Sequence, residues 1–366
     1  MNTTLSQTIS ALRFPLAALI VLKHYYTPDI SSSIFGGDYH VYFYTGEFVT
    51  HVFTGFIVPL FFFISGYLYF NKISLQGENA YSLSIWKRKS KSRIKSLLIP
   101  YLCWNVIVLL LFFIVQTITG NSEVMSKDGY KLIADYQLID YAKAIYAIDS
   151  TGMPIDGPLW FIRDLFMVSL IFAPPIYLII KHLQEYGLLL LTLAWASGMQ
   201  LPIAGFSTLC IYFFFLGSYM SLKSKDMWAD CSKLKSTILG LMIALTLVTA
   251  TISYFTELKM HTFFHNLYLL TTVLCIFGFI GQYVRKGTMN FPSWVAASSF
   301  FIFACHKPLQ VIVRRLCFAL FKPENECILT GMIFIVPLVV VCISLSIFYI
   351  IRRYMPFLKF LNGFRL

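Results

Sequence analysis

Apolar residues run along this chain in blocks of about twenty, parted by short polar and basic segments. A helix rising about 1.5 Å per residue needs a block of that length to cross a hydrocarbon core roughly 30 Å thick. Ten such blocks fit, near 8–27, 46–70, 95–119, 158–180, 187–204, 207–222, 236–256, 262–281, 292–313 and 328–351. The fifth and sixth are short and joined by a tight turn. The pattern predicts an all-α, polytopic integral membrane helical bundle with about ten transmembrane helices. It fills 1–366 as a single membrane domain with no separate soluble domain and no internal repeat. Only one connection is long, about 120–157, and within it YKLIADYQLIDYAKAIY repeats apolar residues three and four apart. That spacing predicts an amphipathic helix on the surface, either covering a site or serving as a solvated connector.

Composition agrees with a membrane protein: 58% of residues are hydrophobic and 13% charged. The formal charge of +12 is compatible with nucleic-acid binding, but the apolar blocks make basic cytoplasmic loops the better account, with no nucleic-acid partner. With the N-terminus inside, 18 Lys and Arg fall on the inner side, from Lys72 and the Lys87–Lys95 cluster through Lys225 to Arg365. Seven fall outside, namely Lys127, Lys131, Lys143, Lys259, Arg314, Arg315 and Lys322. The positive-inside rule therefore predicts N-in and C-in. Acids gather outside, at Asp29, Asp38, Glu47, Glu123, Asp128, Asp135, Asp140, Asp149 and Asp156. The N-terminus lacks a basic start and a cleavage site, so its apolar run reads as a retained helix. The eight Cys show no C-x-x-C spacing, so no metal or redox motif is signalled; Cys317 and Cys327 are the one pair placed to bond in an oxidising compartment.

Against this apolar background a few polar side chains stand out, because ionisable residues within a bilayer usually face a cavity and mark function. Arg13 and His24 lie in the first block with ten residues between them. Eleven steps of 100° bring them to one helix face, roughly 16 Å apart along the axis, with Ala17 and Ile20 completing the stripe. Six of the seven His fall toward the outer side, which suits proton chemistry there. For His40, His261 and His265, and for His182 inside, an interfacial role suffices. His261 and His265 are four apart but lack an evident third metal ligand, and Glu47 and His51 read as a helix-surface pair. Arg163 and Asp164 open the fourth block; neighbours on a helix point about 100° apart, so each is expected to meet a partner on another helix, as structural glue or as a substrate clamp. His306 and Lys307 precede Pro308, which loosens the ninth block. Ser65-Gly66 offers a close helix approach, and the basic WKRKSKSRIK run either orients the chain on anionic lipid or receives an anionic cofactor.

Taken in order, these elements resemble the acyltransferase-3 family of membrane acyltransferases. They are Arg13 and His24, Phe62-Phe63-Ile64-Ser65-Gly66, the basic entry from Arg93 to Tyr101, Leu159-Trp160-Phe161, and His306-Lys307-Pro308. The resemblance spans about residues 8–350. It implies a multi-pass protein of the bacterial inner membrane that moves an acyl group, most often acetyl, from cytosolic acyl-CoA to a hydroxyl. The acceptor it implies is a cell-surface glycan or its lipid-linked precursor, so the expected partners are the lipid bilayer, acyl-CoA and that saccharide. The expected catalytic residues are His24, Arg13, Arg163, Asp164 and His306, and the expected donor-binding residues are Arg13, Ser65, Arg88 and Arg93. No metal is expected. His24 acts as general base, the arm of the donor runs past Ala17 and Ile20, Arg163 or His306 steadies the oxyanion, and Asp164 orients an imidazole or the acceptor. The alternative is a proton-coupled glycan or small-molecule transporter or flippase, which intramembrane Arg, His and Asp would also suit.

Overall fold

The computed structural model describes residues 3–27, 40–121, 131–147, 152–201, 203–223, 233–289, 291–323 and 325–364. Asp29, Asp38, Glu123, Lys127, Asp128, Asp149, Lys225 and Arg365 lie outside the described residues, as do parts of the long outer segment. Apolar side chains every three to four residues, with few internal breakers, give helices: α1 Thr3–Lys23, α2 His40–Phe70, α3 Leu83–Thr119, α4 Leu138–Tyr146, α5 Gly157–His182, α6 Gln184–Ala196, α7 Thr208–Leu222, α8 Ser236–Phe255, α9 His261–Arg285, α10 Ser293–Ala297, α11 Ser299–Phe321 and α12 Glu326–Tyr354. Seven of them, α1, α2, α3, α5, α8, α9 and α12, are long and apolar enough to cross a membrane. Three of the ten expected blocks are different in kind. The fifth becomes the 13-residue α6 and the sixth the 15-residue α7, while the ninth is divided between α10 and α11, which carries Lys307, Arg314 and Arg315.

α1 is the hub of the bundle. It packs against α9, α11 and α12, and its apolar faces feed two separate cores. Leu5, Ile9, Leu12, Leu16 and Ile20 join the larger core; Ala17, Val21, Tyr25 and Tyr26 join a second one with α11 and α12. Ala17 and Ile20 are each 1% exposed, so the stripe between Arg13 and His24 is packed into these cores and does not line an open passage.

α2 and α7 make the most intimate contact. A Cβ added to Gly66 would sit 2.0 Å from the Phe214 carbonyl oxygen, and one added to Gly217 would sit 2.0 Å from that of Phe63. The Ser65-Gly66 step is thus half of a reciprocal glycine crossing, the small-residue packing by which backbones approach within a membrane. Ser65 beside it is half-buried. α2, α3 and α5 each contain a five-residue wide π turn, at Phe48–Val52, Ile94–Leu98 and Val168–Phe172.

The described part of the long 120–157 connection forms a small core of its own. Ile133, Tyr136, Ala144 and Ile155 pack on Val108 and Leu109 of α3. α4 is the amphipathic helix expected there, and Leu138 and Ile139 stay exposed on its far side. The Gln137 N–H donates to Asp140 Oδ2 at 2.8 Å and closes the helix start. Lys131 Nζ donates to the same oxygen, and that contact holds the Asp140 carboxyl below the usual carboxylate range. Cys317 and Cys327 are both free.

Candidate active site

His24 follows the last residue of α1, its N–H still bonded to the Ile20 carbonyl at 3.2 Å. Its ring stacks on His306 of α11, with centroids 5.4 Å apart and planes inclined by 30°. The chain end of α1 is tied to α11 by three further contacts. Gln310 Nε2 donates to the Val21 carbonyl at 2.9 Å, Lys307 Nζ to the His24 carbonyl at 3.2 Å, and Arg314 Nη1 to Thr27 Oγ1 at 3.1 Å. The first two of these donors answer carbonyls that the end of α1 leaves without helical partners.

His306 is fully buried, and its Nδ1 lies 2.6 Å from the Phe303 carbonyl. A carbonyl only accepts, so Nδ1 carries the proton and Nε2 of the neutral ring carries the lone pair. That Nε2 is buried without a hydrogen-bond partner among the described residues. The neutral ring therefore presents an acceptor to the site. The oxyanion role expected of it from sequence needs a donor there, which this tautomer does not offer.

Motifs far apart in sequence meet behind this pair. The His306 ring lies 6.0 Å from Phe303, Phe303 stands 5.6 Å from Phe161 in a T-shaped contact, and Phe161 lies 4.7 Å from Phe62. Phe62 of the Phe-Phe-Ile-Ser-Gly stretch, Phe161 of Leu-Trp-Phe and His306 of His-Lys-Pro thus join through Phe303 in one continuous aromatic wall, with the His306 ring fully buried at its end.

Asp156 is a site residue that its sequence setting, one acid among nine in outer segments, did not single out. It is 2% exposed, its N–H donates to Asn105 Oδ1 at 3.2 Å, and its Oδ2 is buried without a hydrogen-bond partner among the described residues. Its carboxyl group interacts electrostatically with Lys307 and Cys305, which places it near this turn of α11. Gln310 is the second residue missed; its Oε1 is also buried and unpartnered among the described residues. Its only sequence signal was its i,i+4 spacing from His306.

Arg163 and Asp164 each reach a partner on another element, as expected from sequence, but they also pair with each other, which was not expected. Nε and Nη2 of Arg163 reach Asp164 Oδ1 at 3.0 and 2.8 Å. Nη1 donates to the carbonyls of Tyr146 and Gly152 at 2.8 and 3.0 Å, and Asp164 Oδ2 accepts from the Ser207 N–H at 3.3 Å. The pair is 5% and 2% exposed. It fastens the 120–157 connection and the start of α7 to α5, as structural glue would, and all three guanidinium nitrogens are engaged in it.

Along the N-terminal half of α1, from Ser6 to Arg13 at its midpoint, the chain lines a cavity of about 990 Å³. Ser6, Gln7 and Ser10 of α1 share the wall with Arg285 at the end of α9, Phe291 and Ser299. Two guanidinium groups and several hydroxyls in one hollow suit a polyanionic ligand. Ser65, Arg88 and Arg93, expected beside Arg13, are not in this wall. Arg88 is exposed on the basic first part of α3, while Lys89 and Arg93 lie over the Tyr69 ring at 4.9 and 5.7 Å. The helix carrying them is a separate basic surface. Glu47 and His51 do face each other, at 3.7 Å. Among the described residues no three His, Cys, Asp or Glu side chains gather as a metal site.

The long apolar helices define an all-α polytopic membrane protein. The chain belongs to the acyltransferase-3 family: that family's model, described as an acyltransferase domain, matches residues 7–351. It is accordingly a membrane acyltransferase with an acyl donor and an acceptor. Comparison with curated proteins and with solved structures returns no match.

Proposed function

We propose that this protein moves an acyl group, most simply acetyl, from acyl-CoA held at the Arg13 end of α1 to a hydroxyl presented at the His24 end. The acceptor is a cell-surface glycan or its lipid-linked precursor, and the setting is a bacterial inner membrane. The observation that carries the reading is the division of labour along one helix: a cavity with Arg13 and Arg285 along its N-terminal half, and the His24–His306 stack beside Lys307 at its C-terminal end. The phosphates of the donor suit the guanidinium groups by charge-assisted bonds. The hydroxyl proton passes to an imidazole nitrogen of His24 as the oxygen attacks the thioester carbonyl. The unpaired Nε2 of His306 orients the acceptor by accepting from a neighbouring hydroxyl of it. Negative charge growing on the carbonyl oxygen is met by the Lys307 ammonium, a role that Arg163 is too fully engaged to take. The C–S bond then breaks, and the departing CoA thiolate takes the proton from the His24 imidazolium. For the thioester to reach His24, the side chains around Ala17 and Ile20 must part.

Membrane vesicles supplied with labelled acetyl-CoA test the reading. His24→Ala should lower transfer of label to glycan by about 10²–10⁴-fold at unchanged protein level, the range of a lost general base. Arg13→Ala should raise the KM for acetyl-CoA more than it lowers kcat. Full transfer by His24→Ala, or movement of unmodified saccharide with no label on it, would overturn the reading; the second result is that of a transporter.

A further inference from the structure

The outer end of the bundle holds a second hollow, of about 440 Å³, between the first turns of α2 and the turn that joins α8 to α9. Four aromatic rings, Phe43, Tyr44, Tyr254 and Phe255, share its wall with the carboxylates of Glu47 and Glu257. It lies toward the His24 end of α1. Lys23 Nζ donates to the Thr50 carbonyl at 2.6 Å, one turn beyond Glu47, and the Tyr26 ring, two residues after His24, rests directly on Gly46.

We propose that this hollow is a saccharide subsite. It receives a sugar ring whose C–H face stacks on Tyr44 and Phe255 and whose hydroxyls donate to Glu47 and Glu257. That the sugar is part of the acceptor rests on the acyl-transfer reading above; the binding itself does not.

Three observations carry the assignment. The first is the chemistry of the wall, where aromatic faces offer a flat apolar platform and carboxylates only accept, matching a ring of alternating C–H and O–H groups. His261 is the remaining wall residue, and no Lys or Arg is among them, so a phosphate-bearing lipid headgroup finds two like charges and no fixed countercharge. Interfacial aromatic belts also expose Tyr and Phe, but a belt needs neither a concavity nor acids within it. The second is preorganisation. Tyr254 Oη donates to Glu47 Oε2 at 2.6 Å, His51 flanks the same oxygen, and Tyr44 and Phe255 fix each other edge to face at 5.3 Å. The third is local strain. Glu257 follows the end of α8 with φ +51°, a left-handed position where glycine sits without penalty. The chain keeps a carboxylate there, on the rim of the hollow.

The purified full-length chain in detergent micelles provides the test, by saturation-transfer NMR with millimolar methyl glycosides of glucose, mannose, galactose and N-acetylglucosamine. At least one should show transfer to its ring C–H protons. Tyr44→Ala and Phe255→Ala should each weaken that signal about fivefold to tenfold, the order of one aromatic contact. Glu257→Gly should weaken it too, while leaving the thermal midpoint unchanged or higher because the left-handed strain is relieved. This variant separates lost binding from lost folding. The proposal fails if no glycoside shows transfer, or if transfer persists undiminished in Tyr44→Ala. Release of CoA thiol by His24 and Arg13 variants reads the acyl-transfer chemistry separately. Normal thiol chemistry with no sugar binding here overturns only the subsite; sugar binding without CoA-dependent transfer overturns only the enzymatic reading.

Discussion

His306 is held by one nitrogen and offers the other. The bond from Nδ1 to Phe303 is internal to α11, and the unpartnered Nε2 faces the site. If the acceptor lone pair is what matters, His306→Gln, which can place an amide oxygen near that atom, should retain measurable transfer, whereas His306→Ala should lose about 10²-fold or more in kcat. The KM for acetyl-CoA should be unmoved in both. Equal activity in the two variants would reduce His306 to packing. At this scale the sequence announces Arg13, His24 and His306, because ionisable groups inside apolar blocks are conspicuous. Asp156 is not conspicuous, since its burial comes from a long connection folding back onto Asn105. The Arg163–Asp164 pairing is missed for another reason. An angle of 100° between neighbouring Cβ atoms keeps short side chains apart, but a guanidinium on a long stem curls back across that angle to the next carboxylate.

Between elements, the α2–α7 crossing sets the geometry of the aromatic wall, because Phe62 lies one turn from Gly66. Gly66→Ala would drive a methyl group into the Phe214 carbonyl and should cost about 1–3 kcal/mol or more by overpacking. Gly331→Ala in α12 meets nothing within 4 Å and should be neutral or mildly stabilising. Thermal unfolding of the two purified variants in one detergent checks the contrast, and equal midpoints would refute the tight crossing. The sequence shows where most helices lie, since apolar blocks of helical length are local signals. It does not show the wide turns at Phe48–Val52, Ile94–Leu98 and Val168–Phe172. A π turn has no hydrophobic period of its own and arises from packing against neighbours.

For the whole molecule, what matters is which end faces which compartment. The basic bias predicts the Arg13 cavity inside and the His24 site outside, with the start of α12 outside as well. Cys327, exposed in the first turn of α12, is a natural reporter. A membrane-impermeant maleimide should modify it in right-side-out vesicles and spare it in inverted ones, as read by peptide mass spectrometry. The reverse pattern would invert the topology and remove the donor from the cytosolic end. The bundle architecture was readable from block length alone. How α1 threads between two cores was not, because the sharing of its faces among α9, α11 and α12 depends on contacts remote in sequence.

Each wide π turn holds one residue more than an α-helical ladder would use. Such turns mark where the chain should tolerate a change in length by one residue. Losing one residue from Val168–Phe172 would restore a straight α5 while leaving Arg163 and Phe161 aimed as they are. A residue lost from the regular turn between Phe161 and Val168 would swing one side of α5 by about 100° relative to the other. Length variants of this protein should therefore cluster at the three wide turns, and the distances between its motifs along the chain should vary by single residues even while the side chains they present stay in register.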